Sequence, residues 1–229
     1  MERQEERWTA VDEYADGLVL GADPALEAAL DAAAAAGLPQ IQVSPPQGRL
    51  LHLLARIAGA RRVLEVGTLG GYSTICLARA LPEDGQLVTL EVDPHHADVA
   101  RANIARAGLA EIVEIRVGRA LGTLRDLERE GPEPFDLVFI DADKASSPDY
   151  VRWAMKLGHP GTVIILDNAI RHGTVADAQN NDPDVVGTRA ALELMGQDPR
   201  VTATVIQTVG SKGYDGFALA VLGPNGAIG

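Results

Sequence analysis

The 229-residue sequence has one cysteine, Cys76, so no disulfide can close within the chain. Cys76 lies in an apolar segment and reads as a small buried hydrophobe, which suits a reducing compartment. Basic residues are in short supply: 20 Lys and Arg face 32 Asp and Glu, for a formal net charge of -12. That excess repels a phosphate backbone and an anionic membrane surface. Aromatic residues make up only 4% of the chain, which leaves no basic or aromatic strip for RNA. Long apolar runs are missing too. The stretch Ala28–Ala36 is interrupted by Asp31 and stopped by Gly37, too short and impure for a membrane span. Met1–Ala10 is crowded with Glu and Arg and lacks the apolar core of a signal peptide. Together these shortages predict a cytoplasmic protein that engages neither nucleic acid nor membrane.

Against these absences stands a hydrophobic fraction of 46%, ample for a large core. Length and patterning predict a single domain over residues 1–229: an N-terminal helical segment (1–43), a core (44–222) and a loosely attached tail (223–229). Trp8–Leu38 is helical in pattern, with Asp23-Pro24 as N-cap and first-turn proline and Gly37 as the stop. Ser44-Pro45 opens another helix, expected to bury Leu50, Leu51, Leu53, Leu54 and Ile57. From Arg62 onward strands and helices alternate. Strands are read at Val63–Val66, Leu87–Glu91, Ile112–Val117, Phe135–Ile140 and Thr162–Leu166, and such βα repetition predicts a parallel, doubly wound, Rossmann-like sheet covered on both faces. A helix near Val185–Met195 follows. Two last strands, Thr202–Thr208 and Gly216–Leu222, joined through Gly210–Tyr214, predict an antiparallel hairpin that completes seven strands.

The strand Phe135–Ile140 ends in Asp141, Asp143 and Lys144, a charged tip that is costly unless something binds there. Val163–Leu166 likewise ends in Asp167 and Asn168. If the two strands are parallel neighbours, Asp141, Asp167 and Asn168 share the crevice at the carboxyl edge of the sheet, where open α/β sheets bind ligands. Two carboxylates and an amide oxygen, with no His or Cys cluster alongside, suit Mg2+ or a similar hard cation such as Ca2+ or Mn2+. Both acids are as well placed to cap the helices that follow, and spacing alone leaves the two readings level. Lys144 reads either as a general base whose ammonium form a nearby cation disfavours, or as a surface lysine paired with Asp141 or Asp143.

Upstream, Val63–Ser73 sets Gly67, Gly70 and Gly71 between a strand and a helix, where a ligand can approach free backbone N–H groups. Glu65 precedes the glycines, where it would repel a pyrophosphate and welcome a cationic amine; Glu91 ends the next strand, placed for a ribose diol. Each acid alone reads equally as structural. As a pair they favour S-adenosylmethionine over a dinucleotide. A nicotinamide-dependent oxidoreductase is the alternative enzyme, disfavoured by Glu65 and by the lack of a Tyr-x-x-x-Lys pair. A non-catalytic cofactor-binding module is the alternative class. His172 follows Asn168 in the polar loop Ala169–Asp182, which reads as a lid.

In motif order and spacing, from about Ile41 to Leu222, the chain resembles the cation-dependent, S-adenosylmethionine-dependent O-methyltransferases of the catechol and caffeoyl-CoA type. The most specific stretches are Val63–Ser73, Glu91 with Gly118-Arg119-Ala120, Asp141-Ala142-Asp143-Lys144, and Asp167-Asn168. The resemblance implies cofactor contacts from Val43, Glu65, Gly67, Ser73, Glu91, Ala120 and Asp141. It further implies Mg2+ held by Asp141, Asp167 and Asn168, and Lys144 with Asp141 as the catalytic pair, which moves the balance from helix capping to metal binding. A small hydroxylated, phenolic acceptor and a homodimer involving the Ala-rich N-terminal helix are implied as well. One position departs from the plant caffeoyl-CoA members. Where those carry an aromatic residue in the loop after Asn168, this chain has Arg171 and then His172, pointing to a smaller, anionic or differently held acceptor.

Overall fold

The computed structural model describes residues 2–224; from 225 onward the expected tail lies outside the described residues. Three helices precede the sheet: α1 (Glu2–Val19), α2 (Pro24–Ala35) and α3 (Pro45–Ile57). Asp23 caps α2 by accepting from Leu26 N at 3.2 Å, and Ser44 caps α3 by accepting from Gln47 N at 3.4 Å. In both, the following proline suits a first turn because its missing N–H would have no partner there. The alternating region then runs β1 (Arg62–Val66), α4 (Tyr72–Ala78), β2 (Gln86–Glu91), α5 (Pro94–Arg106), β3 (Val113–Val117), α6 (Ala120–Glu130) and β4 (Phe135–Ile140). After it come α7 (Ser147–Leu157), β5 (Gly158–Asp167), α8 (Pro183–Gln197), β6 (Val201–Gly210) and β7 (Gly213–Leu222).

The seven strands are ordered β3-β2-β1-β4-β5-β7-β6, parallel from β3 through β5, with β7 antiparallel to both β5 and β6. This is the doubly wound sheet with an antiparallel edge hairpin that the sequence pattern predicts. Strand β4 shows why its sequence is an unbroken apolar run. Val138 and Ile140 enter one core with Leu124, Tyr150 and Val151, while Leu137 and Phe139 enter another with Leu51, Ala55 and Leu77. A strand buried on both faces has no polar side to alternate with. Cys76 belongs to the second core, and burial pushes its thiol up to about 12, so it packs as an inert apolar group.

Three local expectations need correction. Helix α3 buries Gly48, Leu51 and Ala55, leaving Leu53 and Ile57 exposed. At 3.6 residues per turn, positions 53 and 57 lie on the side opposite 51 and 55. The hairpin link shrinks to Ser211-Lys212, because pairing continues through Val209 with Tyr214 and Gly210 with Gly213. The loop Ala169–Asp182 carries short 3-10 turns within Arg171–Ala176, broken at His172 and Gly173. His159 lies near the start of β5, and its Nε2 is 2.9 Å from Asp136 Oδ1 on β4.

At the carboxyl edge, β1 is held to β4 on one side and to β2 on the other just beyond their last paired residues. Asp141 N donates to Val66 O at 2.8 Å, and Gly67 N donates to Leu90 O at 3.0 Å. Gly67 has φ of +100°, and a Cβ there would lie 2.0 Å from the Asp141 carbonyl oxygen. Gly67→Ala is therefore expected to destabilise the fold by roughly 3 kcal/mol or more, through a strained backbone and a direct clash. Chemical denaturation of the variant checks this; an unchanged unfolding free energy would contradict the close approach.

Candidate functional site

Strand order reverses between β1 and β4: from β1 the chain winds outward through β2 and β3, then returns to place β4 and β5 on the other side. Ligands of open α/β sheets bind at such a switch point. Here a cleft of about 1530 Å³ opens along the carboxyl ends of β1, β2, β4 and β5, with Gly67, Glu91, Asp141 and Asp167 on its wall. The volume exceeds the roughly 300–1,000 Å³ usual for one small ligand, leaving room for two. Val43, Ser73, Ala120, Lys144 and Asn168 line the same cleft.

Glu65 is the one expected cofactor contact that does not face the cleft. Its side chain is fully buried and occupied: Ser73 Oγ donates at 2.6 Å, Thr74 Oγ1 at 2.5 Å and Thr89 Oγ1 at 2.7 Å. Burial pushes the carboxyl up to about 7 against the opposing pull of those three hydroxyls. Glu65 thus lies under the glycine turn and holds Ser73, the residue that does reach the cleft. Glu91 sits on the wall with its oxygens engaged by backbone amides, since Oε2 accepts from Leu69 N of the glycine turn at 2.7 Å and Oε1 from the adjacent Val92 N at 2.9 Å. Gly71, at φ of +85°, supplies the left-handed residue from which α4 departs.

On the other side of the switch point, Ile140 and Leu166 are register partners in parallel strands. The next residues, Asp141 and Asp167, therefore emerge side by side, as the chemistry read from the sequence requires. Lys144 is only 7% exposed and donates from Nζ to Asp141 Oδ1 at 2.8 Å. Asp167 is only 5% exposed and accepts from Asn168 N at 2.8 Å. Burial, and then the nearby Asp141 carboxylate, raise the Asp167 carboxyl above the ordinary range. Asn168 holds a positive φ of 54°, a strained setting for a side chain. Neither acid caps a helix: Asp143 and Ser146 occupy the N-cap positions after β4, and Ile170 occupies the one after β5. Asp143, unassigned in the sequence, accepts from the Tyr150 hydroxyl.

A cation at this point fits the donor set. The buried Asp167 carboxylate and the partly exposed Asp141 carboxylate stand near one lysine, and hard oxygens of this kind suit a divalent ion. Among the described residues no group of three or more His, Cys, Asp or Glu side chains gathers to hold a metal; here the third oxygen would come from an amide. Sequence reading missed two residues that shape the cleft. Asp215 on β7 anchors the loop after β5 by accepting from Ile170 N at 3.1 Å and Arg171 N at 3.0 Å. Asp12 on α1 accepts from Ser211 N at 2.7 Å and ties the first helix to the hairpin. Both act through long-range backbone contacts that leave no motif.

A doubly wound sheet with a glycine turn, an acid ending β2 and a buried lysine paired with one of two neighbouring carboxylates defines a methyltransferase of the S-adenosylmethionine-dependent class. The family model described as O-methyltransferase matches residues 21–221. The chain belongs to that family. It is 54% identical to a catechol O-methyltransferase of Mycobacterium tuberculosis, over 93% of this chain and 94% of that protein. An O-methyltransferase from Bacillus cereus, solved in complex with S-adenosylhomocysteine, superposes with a TM-score of 0.94 at 56% identity, covering 95% of this chain and 99% of the other. TomG of Streptomyces achromogenes, an O-methyltransferase involved in tomaymycin synthesis and solved with S-adenosylmethionine, gives 0.93 at 50% identity, covering 96% and 99%. The oxidoreductase and non-catalytic alternatives fall away. No described helix is long and apolar enough to cross a membrane.

The raised Glu65 carboxyl has a pH consequence. Because its folded-state value near 7 exceeds the ordinary 4.5, the folded state holds this proton more tightly, and stability declines as pH rises through that window. Glu65→Gln is expected to flatten this decline between about pH 5 and pH 8. Denaturant midpoints of cofactor-free wild type and variant across that range measure the difference; parallel pH dependences would contradict the assignment.

Proposed function

We propose that the chain transfers the methyl group of S-adenosylmethionine to one hydroxyl of a small acceptor bearing two adjacent oxygens, of the catechol kind. The observation that carries this reading is the meeting of Asp141, Lys144, Asp167 and Asn168 on the wall of the cleft that also holds Gly67, Ser73 and Glu91. The Mycobacterium relative, named as a catechol O-methyltransferase, supports the acceptor class.

In this reading Val43, Gly67, Ser73, Glu91, Ala120 and Asp141 contact the cofactor. Glu91 takes the ribose hydroxyls, and Ala120, the first residue of α6, lies beside the base. Glu65 acts at one remove by orienting Ser73. Asp141, Asp167 and Asn168 would hold a divalent cation, Mg2+ by donor chemistry. When bound, such an ion supplies Lewis acidity that eases ionisation of an acceptor hydroxyl and fixes the pair of oxygens. Lys144, 2.8 Å from Asp141, would act as the neutral amine, its own proton having left before the step, and accept the proton from that hydroxyl. The folded walls exclude water and hold the acceptor oxygen toward the methyl carbon, so orientation supplies much of the rate. Residues 1–229 act as one domain in this account, in the cytoplasm. A homodimer through the Ala-rich helix α2 is part of it, to which the exposed Val11, Tyr14 and Leu18 on α1 would add an apolar stripe.

Two outcomes are expected. Turnover of S-adenosylmethionine with catechol should stop in a chelator and return with Mg2+, assayed by formation of S-adenosylhomocysteine; undiminished turnover in the chelator would refute the metal assignment. Lys144→Ala should lower kcat by about 10²–10⁴-fold, as for loss of a positioned base, with calorimetric affinity for S-adenosylhomocysteine close to wild type. A variant that keeps its kcat would remove Lys144 from the chemistry.

A further inference from the structure

The loop after β5 is the most strained stretch of the described chain. Of the four non-glycine residues with positive φ, three lie within it: Asn168, Arg171 and His172. Strain of this kind persists where surrounding structure enforces it and commonly marks a working site. Enforcement here comes from Asp215, which receives the Ile170 and Arg171 amides and so fixes where the Arg171 side chain starts.

That side chain lines the cleft together with Asn168, His172 and Asp184. Its terminal nitrogen makes one long contact, 3.4 Å to Asp184 Oδ2. Its Nε is buried and has no hydrogen-bond partner; among the described residues the only other buried side-chain atom so placed is Ser147 Oγ, which lies off the cleft. A buried, charged donor left unpaired is costly, and a ligand that satisfies it recovers that cost. The acids at this end of the cleft have partners already. Asp143 holds the Tyr150 hydroxyl, Asp12 the Ser211 amide and Asp215 its backbone amides. The buried side-chain atom left without a partner here is therefore a cationic donor, in a protein whose net charge is -12.

We propose that Arg171 forms a carboxylate-binding subsite at the acceptor end of the cleft, so that the preferred acceptor is an adjacent-dihydroxy compound carrying an acidic group rather than a neutral or amine-bearing catechol. The planar guanidinium is suited to this, since it meets a carboxylate through paired N–H donors. The proposal rests on the acceptor class inferred above and adds the acidic substituent to it. Arg171 here determines specificity and takes no part in the proton transfer.

The test compares three probes: protocatechuate, which is catechol bearing a ring carboxylate, then catechol itself and aminomethyl catechol. Wild type should favour protocatechuate over the amine by at least about tenfold in kcat/KM, the scale of one charge-assisted hydrogen bond. Arg171→Gln should erase that preference, and Arg171→Lys should keep part of it. Asp184→Asn separates a subsite from a mere strut. A subsite keeps or increases its preference for the acid when the neighbouring carboxylate is neutralised, whereas a strut makes this variant behave like Arg171→Gln. Melting temperatures confirm that each variant is folded. Equal use of all three probes by wild type, or preference for the amine, would overturn the proposal. If none is methylated, the acceptor class fails, and calorimetry of protocatechuate with the protein and S-adenosylhomocysteine still decides the subsite. Binding weakened about tenfold in Arg171→Gln supports it; equal binding overturns it.

Discussion

The parallel register of β4 and β5 is the constraint on which the rest of this structure depends. Pairing Ile140 with Leu166 forces Asp141 and Asp167 out of the sheet together, the first partly exposed and the second almost wholly buried. Two carboxylates that close would repel each other strongly without a cation between or beside them. Lys144 supplies one positive charge, and the donor set has capacity for another. The chemistry proposed for the cleft follows from that electrostatic deficit, which β-sheet hydrogen bonding imposes far from any catalytic need.

The opposite half of the cleft is built on the same economy of position. Glu65 is sealed under the glycine turn, Glu91 is gripped by the amides of that turn, and Gly67 allows the backbones of β1 and β4 to touch. Each preorganises a wall before any ligand arrives, so that binding free energy goes into orientation. The N-terminal helices and the edge hairpin close the remaining sides. Asp12 reaches the Ser211 amide, and Lys212 Nζ donates to Gln40 O at 3.2 Å. These contacts join parts of the chain far apart in sequence across the mouth of the cleft.

Much of this was legible in the residues. Doubly buried strands announce themselves as apolar runs, and Asp23-Pro24 and Ser44-Pro45 mark helix starts by a mechanism that the structure shows at work. The nearness of Asp141 and Asp167 was conditional on strand order, which local pattern alone does not determine but parallel βα winding makes the natural outcome. Two kinds of feature were beyond reach. Whether an acid faces a ligand or lies beneath its wall depends on a rotation about the strand and on hydroxyl partners such as Thr89, so the residue pattern leaves Glu65 level between a structural acid and a cofactor contact. Which side of α3 is buried depends on the neighbours it meets, so Leu53 and Ile57 were assigned to a core they do not enter. Loop anchors such as Asp215 leave no pattern, because a carboxylate that collects backbone amides has no sequence spacing to obey.

The central claim is that the ends of β4 and β5 together form a divalent-cation site. Anomalous diffraction from crystals of the protein grown with Mn2+ and S-adenosylhomocysteine addresses it directly. The account predicts a single strong anomalous peak bounded by Asp141, Asp167 and Asn168. A fully bound cofactor with no peak there, or with the ion held by other residues, would contradict it.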